Sequence, residues 1–562
     1  MRITSLLMIL LCLLQQQQAF ARQGAGATLN FTTIEAESMR TNAVVPDPRV
    51  EPHFVETESS GGQAVRLDTR EHFLAFTASA STNTMVIRFS LPDHPQGGGI
   101  SSSLLIFVNG KLAKNCRIHS YNTWLYGKYP FSNDPAMGRP RHFYDEYRVT
   151  ELELRNGDEV KLKNGNDTIP CVIDLVDLEQ APPAIPAPAN AIVLTDPAFR
   201  ADSKGNDHTE VLRRCIAKAV ETGQEIYMPA GEFIISGDII LPSNIVIKGA
   251  GIWYTVLKGD ATVYDQPGRR VRLRGKGSTI MLSDFSIDGA LRYRNDKEDN
   301  DGIVGSFGEH SEIKNIWIEH TKVGIWVENS SGLDVKGCRM RNTIADGLNF
   351  CVGMYSSVVR NCSTRGTGDD GFAIWPAVFG KQVYSPGHNQ IIECTAQLPW
   401  LANGAAVYGG ESNSIINCLF TDITQGSGIL ISTTFPTESN KGINNNFAGI
   451  TRVDSCTITG SGGFDHEWDW RGAVEICTDK RVINGLEISN VRIENSLSSA
   501  VRVVAKPGGS LQHCVLNNVM GSGVRSLNGL VITAGAQGAL TLKQCSFPEM
   551  KQLSRGLTIK EE

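Results

Sequence analysis

The sequence predicts an all-β protein: a right-handed parallel β-helix preceded by a β-sandwich. Three observations carry this. A small residue followed by a short in-out strand recurs about every 23 residues through the C-terminal two thirds, a proline-alanine run separates that region from short alternating strands, and 56 glycines in 562 residues accompany one helical stretch. A chain of this length exceeds one ordinary core, so two domains are expected.

In chain order, Arg2, an apolar run from Leu6 to Leu14 and "AFA" ending at Ala21 form the pattern of an export signal over residues 1–21. No later segment approaches the roughly 18 apolar residues of a membrane span. A formal charge of -6 gives no polyanion-binding face. The expectation is a secreted monomer, extracellular or periplasmic, without a membrane or nucleic-acid partner.

Residues 30–180 alternate in short runs broken by turns ("QAVRL", "TMVIRFSL", "SSLLIFVNG", "EVKLKNG"), a sandwich signature. "APPAIPAPAN", 181–190, is too rich in proline for a sheet interior and reads as a stiff linker. In 191–562 a helix is expected from His208 to Thr222, with Asp207 and Glu210 as a capping box and Val211, Leu212, Cys215, Ile216 and Ala219 on one face. Strands and turns follow, and the helix caps their N-terminal end. The repeat begins at Gly302, Gly324, Gly347, Gly371, Gly404 and Gly428, in steps of 22, 23, 24, 33 and 24, and continues at Gly472, Ala500 and Gly523. That period is too short for a propeller blade, and the leucine-asparagine pattern of leucine-rich repeats is missing, which leaves the parallel β-helix.

Thirteen cysteines in an exported chain raise the question of disulfides. Cys338, Cys362, Cys394, Cys418, Cys456 and Cys514 share one local context, and steps of 24, 32 and 24 separate the first four. They read as one position of the coil filled by small buried thiols. A disulfide stays open for Cys116 with Cys171.

"RGTGDDGFAIW", 365–375, sets Asp369 and Asp370 between glycines. Residues one coil apart in a β-helix stack about 4.8 Å from one another. Asp346 and Asp370 are 24 residues apart and each precedes a coil glycine, so they become neighbours. The column extends back to Asp301 and forward to Asn403. Carboxylates so placed repel, and one should have a raised pKa. An acid kept protonated beside a base kept ionised is what hydrolysis of a glycosidic bond requires. Plain turn residues and a calcium site are the other readings. Trp326, Trp375, Trp400 and Tyr408, with Asn349, Asn403 and Glu411, lie around this column. The "FDHEWDW" loop adds Asp465, His466, Glu467, Trp468, Asp469 and Trp470. Aromatic faces beside acids suit sugar rings, with core packing the alternative for any single tryptophan.

Residues 191–562 resemble pectate-lyase-like β-helix proteins, through "LTDPAFRADSKGNDHTEVLRRCIAKAV", "YMPAGEFIIS" and "SNIVIKGAG". "ADG" at Asp346 followed by "GDDGFAIW" is similar to the catalytic pattern of glycoside hydrolase family 87, the α-1,3-glucanases and mycodextranases. This resemblance implies an inverting hydrolase of a neutral α-glucan such as mutan, nigeran or fungal cell-wall glucan, with no cofactor for catalysis. Asp369 would be the general acid, with Asp346 and Asp370 holding and deprotonating water. Acid and base would then stand roughly 6.5 to 9.5 Å apart. Neighbouring strand residues point oppositely, so both Asp369 and Asp370 face the sugar only if the chain bends at "TGDDG", a bend that Gly368 and Gly371 permit.

A polygalacturonase- or dextranase-like hydrolase is the nearest rival. Polygalacturonases resemble one another in a "GHG" one coil later and an "RIK" after it, where this chain has "NGAAVYGGE". A uronate also needs cations, and the nearby coils offer few beyond Arg339, Arg341, Arg360 and Arg365, which suits a neutral glucan better. A lyase would need a basic catalytic residue, and an adhesin would bind glycan without cutting it. In the N-terminal domain, "TIEAES" and "CVIDLVDLE" resemble carbohydrate-binding modules of families 35 and 6, which implies a structural calcium on Glu35, Glu37 and Asp174. Tyr121, Trp124 and Tyr126 are a binding platform or core.

Overall fold

Gly347, Gly371 and Gly404 recur because nothing larger fits. A Cβ on each would stand 2.6, 2.6 and 2.7 Å from the carbonyl oxygen of the next glycine in the column. Coils wound this closely, with side chains such as Thr364 and Phe420 packed against the same corner, leave no room for a Cβ there. The computed structural model describes residues 24–199, 207–435, 442–466, 468–525 and 528–562. The predicted export signal lies outside the described residues. Among those described, the C-terminal domain holds a 12-stranded parallel sheet and a 23-stranded sheet to which each coil typically gives two strands. In the 12-stranded sheet Ile303 pairs with Ile325, then Leu348, Phe372, Ala405 and Ile429, which reproduces the expected steps. These side chains are buried, and each apart from Ala405 contributes about 1.5–3 kcal/mol by leaving water.

The register departs from the predicted series later. The column passes through Ala473 and Gly529, whose carbonyls receive the amides of Ile429 and Val501, and not through Gly472 or Gly523. Insertions between coils, including the hairpin of Phe464–Asp465 and Asp469–Trp470, remove the spacing signal there.

Between the two strands that a coil gives to the larger sheet stands a residue with positive φ, often asparagine: Asn361 (φ 50°) and Asn417 (φ 53°). The cysteines follow these corners. Cys338, Cys362, Cys394, Cys418 and Cys456 stack as free buried thiols, and Cys362 Sγ donates to Arg360 O at 3.3 Å. The column continues through Val491 and Val519 to Cys545, whereas Cys514 pairs with Leu486 in a neighbouring column. Cys116 and Cys171 are also free, on different sheets of the sandwich.

The helix spans Thr209–Thr222 and buries the five predicted apolar residues. Its N-terminus differs from the expected capping box: Asp207 Oδ1 accepts from Thr209 N at 2.9 Å, while Glu210 pairs with Arg213. The sandwich consists of two antiparallel sheets around their own core. Tyr126 is buried and Trp124 packs edge-on against Phe143, so the proposed platform is largely core. The 181–190 segment is laid on the β-helix, with Ile185 N bonded to Ala250 O at 2.9 Å. Across the interface Arg365 reaches Glu146 (2.5 Å) and Asp177 (2.6 Å), and Arg339 reaches Glu179 (2.7 Å), all buried. Among the described residues no helix is long and apolar enough to cross a membrane.

Candidate active site

The corner preceding the glycine column is built identically on three coils. Thr321, Thr343 and Thr367 each turn a hydroxyl back onto the carbonyl two residues on, at 2.6, 2.8 and 2.9 Å. On two of these coils the next residues are the acids. Gly347 N donates to Asp370 O at 3.0 Å, so Asp346 and Asp370 are stacked neighbours as the spacing predicts. Asp369 sits in the bend and faces the same side. The flanking glycines act differently from the expectation: neither has positive φ, and Gly368 is there because a Cβ would strike Trp400 and Ile344 O at 2.1 and 2.3 Å.

One oxygen from each of Asp346, Asp369 and Asp370 lies within 4.8 Å of the others. This is closer than the roughly 6.5–9.5 Å expected of an acid and base on either side of a water. Asp370 accepts from Asn403 Nδ2 at 2.8 Å and from the Tyr408 hydroxyl at 2.7 Å. Asp346 takes a longer bond from Asn349, 3.3 Å. Burial, followed by repulsion from Asp369, pushes Asp370 up to about 7. Burial and then Asp369 and Asp370 hold Asp346 well above the carboxylate range. These groups titrate as a set, not singly. Asp369 is the most exposed of the three, and its Oδ2 meets Arg294 Nη2 at 2.6 Å while its Oδ1 accepts from Asp370 N at 3.1 Å.

The acids floor a cleft of about 530 Å³. One wall is aromatic: Trp326 meets Trp375 edge-on at 6.1 Å, and Phe435 lies 5.6 Å from Trp375 and 5.2 Å from Tyr408. The other wall is charged and comes from residues 294–300, Lys322 and, from the sandwich, Tyr129.

Of the predicted site residues, Trp326, Asn349, Trp375 and Tyr408 line the cleft, and Asn403 acts through Asp370. Trp400 does not reach it. Trp400 is 1% exposed, stacked on His142 at 4.8 Å inside the domain interface. Glu411 lies on another face of the coil beside His388. Asp469 pairs with Arg502 and Trp470 packs on Phe464, outside the lining; Glu467 lies outside the described residues. Asp301 is fully buried and bonded to the Tyr264 hydroxyl at 2.7 Å. Arg339, Arg341 and Arg365 serve the interface with the sandwich. The cation at the acids is Arg294, which no repeat register could have located because it lies in an insertion between coils.

The expected calcium ligands meet a mixed fit. Arg88 and Ser60 N occupy the two oxygens of Asp174. Glu35 Oε2 and Glu37 Oε2 are buried without a partner, and burial followed by Asp174 pushes Glu35 up to about 8. Asp422 of the β-helix joins this cluster electrostatically.

Residues 210–558 match the family described as α-1,3-glucanase catalytic domain D2, and residues 28–181 match catalytic domain D1. The chain belongs to the α-1,3-glucanase family. This glucanase is accordingly a glycoside hydrolase. It is similar to the Agl-KA catalytic domain, with a TM-score of 0.87 and 25% identity over 96% of this chain and 98% of that one. It is also similar to the catalytic domain of a family 87 α-1,3-glucanase solved with nigerose, with a TM-score of 0.81 and 26% identity over 96% and 99%. A pre-neck appendage protein of Bacillus phage phi29 is 28% identical over 187 residues, 30% of this chain but 20% of the phage protein.

Proposed function

We propose that this glucanase is a secreted, inverting hydrolase of a neutral α-1,3-glucan (mutan, nigeran or a fungal cell-wall glucan), with Asp369 protonating the leaving oxygen and Asp346 and Asp370 activating water. The observation that carries this is three carboxylates within 4.8 Å of one another on the floor of an aromatic-walled cleft. One water making two hydrogen bonds of about 2.7 Å spans such a gap. Inversion rests on the resemblance of "ADG" and "GDDGFAIW" to the family 87 pattern; a spacing within 4.8 Å is nearer that of a retaining pair, which makes the product anomer the deciding readout. Asp369 projects furthest toward solvent, which suits the group that meets the leaving oxygen. Relatives solved with nigerose and with tetrasaccharides support the substrate class. The lining holds six acids (Asp296, Glu298, Asp299, Asp346, Asp369, Asp370) against three cations (Arg294, Lys297, Lys322), an excess that repels uronates and favours neutral glucose. The test is hydrolysis of a panel of α-glucans with the product anomer followed by NMR; retention of configuration, or preference for polygalacturonate, overturns the assignment.

One observation favours exchanging two roles. Both Asp369 oxygens accept hydrogen bonds, whereas burial favours the protonated form of Asp346. A glucosyl fluoride substrate separates the readings, since fluoride departs without a proton donor: the acid's Asn variant keeps fluoride hydrolysis and a base's Asn variant does not. Export predicts a mature N-terminus just after Ala21, read by N-terminal sequencing. A structural calcium at Glu35 and Glu37 is proposed from the resemblance alone, since Arg88 and Ser60 N take the oxygens of Asp174; a melting temperature unchanged by chelator refutes it.

A further inference from the structure

The loop 289–301 leaves the β-helix after Asp288 and rejoins it at Gly302, and it is tied to both domains. On the sandwich side, Asn133 Nδ2 donates to Arg292 O at 2.6 Å, and Arg292 lies over the Tyr121 ring at 5.1 Å. The Tyr129 hydroxyl donates to Asp296, and the Tyr129 ring covers the Arg294 guanidinium at 4.9 Å. On the β-helix side, buried Arg294 donates from Nη1 to Ile344 O at 3.2 Å and to Gly368 O, and from Nη2 to Asp369 Oδ2 at 2.6 Å. Its Nε meets Asp296 at 3.1 Å, and Nη2 also approaches the Tyr129 hydroxyl at 3.5 Å. All five N–H groups of the planar fork are thereby engaged. Ile344 stands two residues before Asp346, and Gly368 immediately before Asp369. One rigid guanidinium therefore spans the two coils that carry the acids and orients the side chain of one of them.

We propose that Arg294 is the positioning residue of the carboxylate trio, and that the sandwich domain holds it in place through Tyr129, making the sandwich a working part of the active site. The proposal rests on the reading of the trio as catalytic. It is independent of which acid donates the proton, because spacing and orientation matter in either case. A misplacement near 1 Å costs on the order of 10²-fold in rate. The groups facing Arg294 are Asp296 on its own loop, Asp369 with Asp346 behind it, Tyr129, and beyond them Lys322 and His466.

The test uses the full chain with Arg294→Ala, Arg294→Lys, Tyr129→Ala and Tyr129→Phe, each checked by circular dichroism to be fully folded at the assay temperature. Arg294→Ala should lower kcat about 10²-fold with KM nearly unchanged, and shift the pH profile of kcat/KM upward, since removing a cation stabilises protonated carboxyls. Arg294→Lys should restore the pH profile but not the rate, because an ammonium cannot reproduce the fork. Tyr129→Ala should lose about tenfold in kcat, and Tyr129→Phe, which keeps the covering ring, less. Wild-type rate and pH profile in a folded Arg294→Ala protein overturn the proposal, as do equal losses in the Ala and Lys variants with no pH shift. If the wild type fails to cleave α-1,3-glucan, the trio reading falls separately. The Arg294 link is then read from unfolding free energy, whose difference between wild type and Arg294→Ala must vary between pH 4 and 8; a constant difference refutes it.

Discussion

Two sets of buried carboxylates in this molecule are treated in opposite ways. Across the domain interface, acids are matched with cations: Glu146 and Asp177 with Arg365, Glu179 with Arg339, and Asp145 with His320 at 2.8 Å, and inside the sandwich Asp174 is matched with Arg88. On the cleft floor, three acids face one guanidinium, and it contacts only Asp369. Asp145 and Asp370 are both fully buried, yet the pair with His320 outweighs burial and holds Asp145 below its usual value, whereas burial and like charge lift Asp370 to about 7. Burial alone thus does not raise a carboxylate: Asp346 and Asp370, buried without a cation of their own, are raised, whereas Asp145 has His320, and Asp369 is the acid of the trio that pairs with Arg294.

The largest expected effect tests that distinction directly. Asp369→Asn should lower kcat by about 10²–10⁴-fold with the melting temperature preserved. Glu146→Gln should do the reverse: it leaves Arg341 without its carboxylate and Arg365 with Asp177 alone, and costs about 3–5 kcal/mol of stability, seen in denaturant titration, while the surviving folded protein keeps its turnover. If Glu146→Gln instead lowers kcat in fully folded enzyme, the division into structural and working acids collapses. The tryptophans sharpen the same contrast. Trp400→Ala should cost about 3–5 kcal/mol of stability, because it empties a packed interface. Trp375→Ala, on the cleft wall, should chiefly raise KM for oligosaccharides, by about tenfold, at a smaller cost in stability.

How much of this could be read beforehand follows from what a repeat encodes. The stacking of Asp346 on Asp370 was legible because both precede a glycine that the coil cannot replace, and the 24-residue step is printed in the chain. The cysteine column was legible until insertions lengthened the step, after which Cys514 was misplaced and Cys545 missed. Trp400 was misread for a related reason. Its position along the coil was right, but whether a coil face meets solvent or a second domain is set by contacts hundreds of residues apart, such as the stacking of His142. Arg339, Arg341 and Arg365 meet the second domain for that same cause, and the cation beside the acids, Arg294, comes from a loop with no register at all. Tyr129, Phe435 and Phe379, which packs on Trp375, belong to the same class: the coils carry the floor and Trp326, Trp375 and Tyr408 of the aromatic wall, while loops and the neighbouring domain carry the rest.

The smallest expected effect concerns the sign of the pH dependence. In the unfolded chain an aspartate titrates near 3.8, and in the folded protein Asp370 titrates at about 7. Below about pH 4 both states are protonated and Asp370 costs nothing. Between pH 4 and 7 the folded protein holds a proton that the unfolded chain has released, so stability falls as pH rises, and above 7 the penalty is constant. Asp370→Asn removes the charge and keeps the polar contacts, since the amide oxygen still accepts from Asn403 and the amide nitrogen donates to the Tyr408 hydroxyl. Urea titrations should find this variant on the order of 1–2 kcal/mol more stable than wild type at pH 8, and no more stable at pH 4. Asp145→Asn should show the opposite slope, because an acid held low by His320 contributes stability above pH 4 and loses it as pH falls. A cleft variant that gains nothing at pH 8 would mean that the floor carries a counter-charge after all, and that its acids are no more strained than those of the interface.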